Sequence, residues 1–219
     1  MSKELWTERH RPKTLSAIKG QSSVIQQIGA KLKQGEITNL ILKGPPGVGK
    51  TTTAKVIAKV LYLENGEMIN FKELNAGDKR KLEDIRKLVG DFMRYRPWGK
   101  AKFKLLLLDK AESITKDAQE ALERMMEECG NNCRTILCVN DIERIEPTIR
   151  SRCTEYQFQP LTEKDIAERL KEIAIAQNIH ISDADIMKIA EKAHGDARKA
   201  INNMQMGNYP RDEVEDLFN

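Results

Sequence analysis

With 219 residues, 40% of them hydrophobic and 32% charged, the chain is long enough to bury a core in one medium domain plus a smaller one. Apolar blocks such as Leu105 to Leu108 fall far short of the roughly 18 residues a membrane-spanning helix needs, and the opening MSKELWTERHRPK is too polar for a signal peptide, so membrane and secreted classes are excluded as expectations. The formal charge of +4 is unevenly spread: residues 1–60 carry 11 Lys/Arg against Glu4, Glu8 and Glu36, a net of +8 that leaves −4 for the rest. Such a basic block fits a polyanion partner, nucleotide or nucleic acid, or else a solvated face.

In chain order, helical spacing at Ser22–Lys33 precedes a short apolar strand at Asn39–Leu42. A helix over Thr51–Leu61, a strand at Ile69–Glu73 and a helix over Lys81–Met93 follow. Next come a strand at Phe103–Leu108, a helix over Lys116–Glu128 and strands at Thr135–Val139 and Glu155–Phe158. The runs LLLL and TILCV show no polar alternation, which marks strands buried on both faces and therefore a parallel sheet sandwiched by helices. After Pro160 the pattern is helical only: Thr162–Gln177, Ser182–Ala193 and Asp196–Met206, the first two opening on Thr162-x-x-Asp165 and Ser182-x-x-Asp185 capping signals. The expected organisation is an α/β nucleotide-binding domain over 1–160, a small all-helical domain over 161–208 and an acidic tail, 209–219, that frays. Cys129, Cys133, Cys138 and Cys153 form no C-x-x-C pair, and His10, His180 and His194 are distant in sequence. No zinc site is expected, and the thiols read as reduced, in a cytoplasmic protein or a nuclear one if the source is eukaryotic.

The strongest chemical signal is Gly44-Pro45-Pro46-Gly47-Val48-Gly49-Lys50-Thr51, followed by Thr52, which fits G-x-x-x-x-G-K-[ST] between an expected strand and an expected helix. Glycines let backbone N–H groups turn toward phosphate oxygens, the helix N-terminus adds its positive dipole, Lys50 reaches the β- and γ-phosphates, and the Thr51 hydroxyl ligates Mg²⁺. Asp109, ending the LLLLD run, supplies the second acidic group for the metal. The ligand expected is ATP with Mg²⁺. An ATPase of this type places a Glu after that Asp to polarise the attacking water, but here the residue is Lys110, and a charged ammonium has no lone pair to take a proton. Glu112 is close in sequence and could be recruited, although its side chain leaves the strand end from another position.

Further runs extend the pattern over essentially the whole chain: Trp6-Thr7-Glu8-Arg9-His10-Arg11-Pro12-Lys13-Thr14-Leu15, Ile18-Lys19-Gly20-Gln21, Leu74-Asn75-Ala76-Gly77-Asp78 with Arg80, Ile85 and Arg86, Gln119 to Glu127, Asn140, Ser151-Arg152-Cys153, and Gly195-Asp196-Ala197-Arg198-Lys199-Ala200-Ile201-Asn202. Together these runs resemble the AAA+ clamp-loader ATPases, and within them the small subunit of archaeal and eukaryotic replication factor C. His10 stands where the opening W-x-E-K-Y-R-P-x-x-L has tyrosine. The resemblance implies that Arg11, Pro12 and Ile18 wrap the adenine. It also implies that Asn140 is the sensor-1 residue at the γ-phosphate or water, that Arg152 reaches in trans into a neighbour's ATP site, and that Arg198 touches the nucleotide from the helical lid. Arg80 and Arg86 lie in the segment that resembles the family's DNA-tracking surface. Lys100, Lys102 and Lys104 form another basic cluster, though each of these residues taken singly reads equally as plain surface.

Two departures bear on function. Lys110 replaces the glutamate of the family's D-E-A-D box, and the chain stops shortly after the sensor-2 helix, where family members continue into a helical collar that holds the ring. Either the chain is part of a longer protein or it is a short relative assembling through weaker contacts. The leading expectation is an ATP-binding clamp-loader small subunit that helps open the sliding clamp and load it onto primer-template DNA with other clamp-loader subunits, hydrolysing ATP weakly itself. The alternatives are an active ATPase using Glu112 and a non-enzymatic, nucleotide-stabilised interaction module.

Overall fold

A computed structural model describes residues 4–78, 83 and 85–207. Its centre is a five-stranded parallel sheet in the order β2-β3-β4-β1-β5, with β1 at Leu40–Lys43, β2 at Phe71–Asn75, β3 at Lys104–Asp109, β4 at Cys133–Val139 and β5 at Thr154–Gln157. Because side chains alternate across a strand, the β3 leucines serve two cores at once. Leu106 and Leu108 join Ile41, Leu137 and Val139 against Ala118, Leu122 and Met125 of the Lys116–Glu128 helix. Leu105 and Leu107 join Leu40, Leu42 and Ile136 against Ile28 of the Ser22–Gln34 helix and Ala54, Ile57 and Ala58 of the Lys50–Tyr62 helix. Double-sided burial is why these strands carry no polar alternation.

Helices Glu163–Gln177, Asp183–Ala193 and Ala197–Gln205 enclose their own apolar cluster, built on Ile166, Leu170, Ile173, Ile186, Ile189 and Met204. Their starts follow the capping chemistry in the sequence. The Thr162 hydroxyl accepts from the Asp165 N–H while the Asp165 carboxylate accepts from the Thr162 N–H, and Ser182 accepts from the Asp185 N–H.

The N-terminal segment ties these helices to the sheet. The Trp6 N–H donates to Gln205 Oε1 at 3.0 Å. Buried Gln21 donates from Nε2 to the Gln159 carbonyl at 2.7 Å and accepts from the Gln159 N–H at 3.1 Å, so one side chain satisfies both backbone groups of the residue leaving the sheet. Gln21→Ala removes both bonds, and a denaturant titration is expected to show a loss of about 1–2 kcal/mol. A midpoint equal to that of the unsubstituted chain would mean that water replaces both bonds without loss.

Two local expectations shift. β2 starts at Phe71 rather than Ile69, because Met68–Asn70 form a 3₁₀ turn in which the Asn70 side chain exchanges hydrogen bonds with the Trp98 backbone at 2.9 and 2.8 Å, leaving Ile69 exposed. Within the helix expected over Lys81–Met93, the described part is a π-helical turn at Ile85–Val89 followed by an α-helical turn at Gly90–Arg94. Arg80 and the tail from residue 208 lie outside the described residues, as does the side chain of Arg86.

Candidate nucleotide-binding site

Sheet order decides which strand ends meet. With β4 between β3 and β1, the carboxyl ends of three strands lie side by side, bringing together Asp109 at the end of β3, Asn140 just after β4 and the Gly44–Thr51 loop after β1. This is the edge at which open α/β sheets bind ligands.

The loop leaves β1 and turns directly into the Lys50–Tyr62 helix. Gly47 has φ +74, and a Cβ built there would sit 1.7 Å from Asp196 Oδ1. Only glycine fits, for the backbone conformation and for the space alike. Asp196 meanwhile caps the Ala197–Gln205 helix by accepting from the Lys199 N–H at 3.1 Å, and the Ala197 N–H donates to the Gly47 carbonyl at 3.3 Å. The Ala197–Gln205 helix is therefore seated on the Gly44–Thr51 loop, which brings Arg198 to the wall of the cleft.

Lys50 is buried, with Nζ donating to the carbonyls of Gly44 at 2.7 Å and Pro45 at 2.6 Å and to Asn140 Oδ1 at 2.9 Å. Burial holds its ammonium below the ordinary lysine range, partly offset by the nearby Glu112 and Asp109 carboxylates. Beside it the Thr51 hydroxyl lies 3.1 Å from both Asp109 oxygens. A hydroxyl and a carboxylate facing each other at a helix N-terminus form an oxygen donor pair suited to Mg²⁺, which takes hard oxygen ligands and keeps several waters. Among the described residues, no cluster of three or more His, Cys, Asp or Glu offers a metal site.

The cleft between loop, lid and N-terminal segment has a volume of about 180 Å³. Pro46, Gly47, Val48, Gly49, Thr51 and Thr52 form its floor; Arg11, Pro12 and Ile18 line another wall. Arg11 is oriented by Glu8, with Nε 3.2 Å from Oε2, and donates from Nη1 to Thr52 Oγ1 at 3.1 Å, so the N-terminal segment is pinned to the helix that follows the loop. Lys50, Asp109 and Asn140 complete the group that comes together. Gly44 and Pro45 contribute through their carbonyls rather than as cleft lining.

Arg152 is elsewhere. It does not line the cleft but pairs with Glu123 at 3.3 Å and with Glu127, both on the Lys116–Glu128 helix. Lys110 lines the cleft with an exposed side chain, in a left-handed backbone conformation at φ 54. Lys104 leaves the expected basic cluster: it is buried, donates to the Phe92 carbonyl at 3.1 Å and lies 4.9 Å from the Phe92 ring centroid. Burial also holds its ammonium low.

Sequence reasoning missed three participants. Asp196 against Gly47 is a contact between distant segments. Glu8 could have been suspected as an i, i+3 partner of Arg11. Cys138 precedes Asn140 by two positions, so strand alternation could have placed it on the same face; it lines the cleft, and full burial pushes its thiol well above the usual range.

A family model described as DNA polymerase III, delta subunit, matches residues 63–162. The chain is 40% identical over 205 residues to the replication factor C small subunit of Methanosarcina mazei, covering 94% of this chain and 61% of that protein. It is 40% identical over 209 residues to the same-named protein of Methanococcus maripaludis, covering 95% and 66% respectively. The corresponding protein of Thermofilum pendens is 42% identical over 205 residues, with 94% and 63% covered. The chain thus spans less than two thirds of the length of these curated relatives. Among solved structures, the RuvB Holliday junction branch migration motor of Thermotoga maritima superposes with a TM-score of 0.72 over 89% of this chain and 64% of that one, at 24% identity. At that identity the likeness is one of fold.

Proposed function

We propose that the chain is a clamp-loader subunit of the replication factor C small-subunit type, to whose curated members it is 40–42% identical, and that it binds ATP with Mg²⁺ in the cleft between loop and lid and hydrolyses it weakly by itself. In an assembly with other clamp-loader subunits it donates Arg152 to a neighbour's site and helps open a sliding clamp for loading onto primer-template DNA. Its place is the cytoplasm, or the nucleus in a eukaryote; no helix among the described residues is long and apolar enough to cross a membrane.

The observation that carries the ATP reading is the convergence of Lys50, Thr51, Asp109 and Asn140 at one sheet edge under a lid helix that presents Arg198. In this reading the loop amides and Lys50 hold the β- and γ-phosphates, while Thr51 and Asp109 hold Mg²⁺, which when bound neutralises phosphate charge. Arg11, Pro12 and Ile18 enclose the base, and Arg198 joins the lid to the nucleotide. Weak hydrolysis follows from Lys110, which can balance negative charge but cannot accept a proton while charged. Glu112 meets Asn140 and does not line the cleft, which favours this reading over one in which Glu112 activates the water. Sequence-independent DNA contacts, salt-sensitive because they neutralise phosphates, are assigned to Arg80 and Arg86 by family likeness alone.

The test is ATP binding and turnover, with and without partner subunits, clamp and primed DNA. The isolated chain is expected to bind ATP·Mg²⁺ and turn it over near background. The assembly is expected to show DNA- and clamp-stimulated turnover that Arg152→Ala reduces. Fast turnover by the isolated chain overturns weak hydrolysis. ATP binding with no stimulation in any mixture favours a non-enzymatic interaction module.

A further inference from the structure

Asn140 sits between two groups of opposite hydrogen-bonding character. Its Oδ1 accepts from Lys50 Nζ at 2.9 Å, and its Nδ2 donates to Glu112 Oε1 at 2.7 Å. An ammonium only donates and a carboxylate only accepts, so the reversed amide would set carbonyl oxygen against carboxylate and NH₂ against ammonium. One orientation survives. It leaves Asn140 with one N–H and one oxygen lone pair beyond these two bonds, on a side chain that lines the cleft.

Glu112 itself does not line the cleft, being 8% exposed at the centre of the Ala111–Ser113 turn. Its second oxygen, Oε2, is buried and has no partner among the described residues. A carboxylate inside a protein is normally fully satisfied, because stripping water from it is unfavourable. The two groups that Glu112 serves here are the Asn140 amide, whose N–H it accepts, and the buried Lys50 charge, which it supports.

We infer that Glu112 is a positioning residue for the nucleotide site: acting through Asn140, it fixes which amide atom faces Lys50 and which faces the terminal phosphate, and so sets the preference for ATP over ADP. The inference rests on the ATP reading of the cleft. It gives Glu112 no proton to transfer and no direct contact with the nucleotide.

Titration calorimetry with ATP·Mg²⁺ and with ADP·Mg²⁺ separates the possibilities. Glu112→Ala is expected to weaken ATP about tenfold, the scale of one charge-assisted hydrogen bond, while ADP changes less than about twofold. Glu112→Met also lacks an acceptor but fills the space, and it must give the same selective loss even if the alanine variant folds poorly. Glu112→Gln, whose carbonyl can still accept from Asn140, is expected to recover most of the preference. In an Asn140→Ala background, Glu112→Met should change the ATP-to-ADP ratio no further, as required if the two act as one unit. Equal weakening of both nucleotides, or a selective loss that persists without Asn140, overturns the inference while leaving the ATP site standing. An unsubstituted chain that binds neither nucleotide overturns the ATP reading and the inference with it.

Discussion

Lys50→Met is expected to lower ATP affinity by at least about 100-fold without lowering the stability of the nucleotide-free protein. The first half follows from the chemistry of the loop: an ammonium at the β- and γ-phosphates makes charge-assisted hydrogen bonds worth about 1.5–3 kcal/mol each, and methionine makes none. The second half follows from what Lys50 does without nucleotide. Its ammonium is enclosed by the Gly44 and Pro45 carbonyls and Asn140, and burial depresses its pKa, which means that folding disfavours the charged form. The unfolded chain carries the same charge in water, so at any pH below the folded pKa the native state bears a penalty that methionine removes. The bonds lost to the two carbonyls and Asn140 work in the opposite direction, and the two contributions are expected to cancel approximately. Thermal unfolding with and without ATP·Mg²⁺ reads both halves together. The substituted protein should unfold no earlier than its parent in buffer and should show no ATP-dependent upshift. Retention of that upshift at ordinary ATP concentrations would remove Lys50 from the phosphate site.

Lys110→Glu is expected to raise turnover about 100-fold once neighbouring subunits supply the trans arginine, the lower end of what a positioned general base contributes. Position 110 follows Asp109 directly, its N–H donates to Asp109 Oδ1 at 3.0 Å, and its side chain reaches the cleft over Gly77, where an added Cβ would lie 3.0 Å from Lys110 Cδ. A glutamate on the same backbone presents an acceptor at the cleft wall instead of a cation. It also places a second negative charge beside Asp109, so the gain should appear only with Mg²⁺ present and vanish with a chelator. Steady-state turnover of the assembled complex, with Arg152 intact, is the measurement. An unchanged rate would show that Lys110 is not what limits hydrolysis.

Arg152 bears on the second result. In this chain it is held by Glu123 and Glu127, so the proposed reach into a neighbour's site would mean exchanging those carboxylates for a phosphate. These pairs are substantially exposed, and exposed ion pairs are worth little, so this exchange is a small hurdle compared with the absence of a base at position 110.

Much of the molecule was legible because its causes are local. A short apolar run without alternation, bounded by turn signals, fits a strand with two dry faces, as Leu105 to Leu108 prove to be. Thr162 and Ser182 start helices through bonds that span three residues. The Gly44–Thr51 motif and Asp109 were readable as one group, and the Thr51 hydroxyl does lie 3.1 Å from both Asp109 oxygens; the phosphate and Mg²⁺ roles proposed for them rest on the motif. The early start assigned to β2 failed for a nonlocal reason, since Asn70 turns the chain only because the Trp98 backbone is there to bind it.

What sequence alone could not decide was which distant groups face one another. Glu112 read as a candidate base because it follows Asp109 by three positions, yet its relation to the site depends on β4 lying between β3 and β1, which sets Asn140 between Glu112 and Lys50. The contact of Asp196 with Gly47 likewise exists only because the lid folds back onto the loop. Residue types and spacing determined the chemistry available to this protein. Strand order and lid docking decided how it is wired, because hydrogen-bond partners are selected within about 3 Å in space and sequence separation carries no such distance.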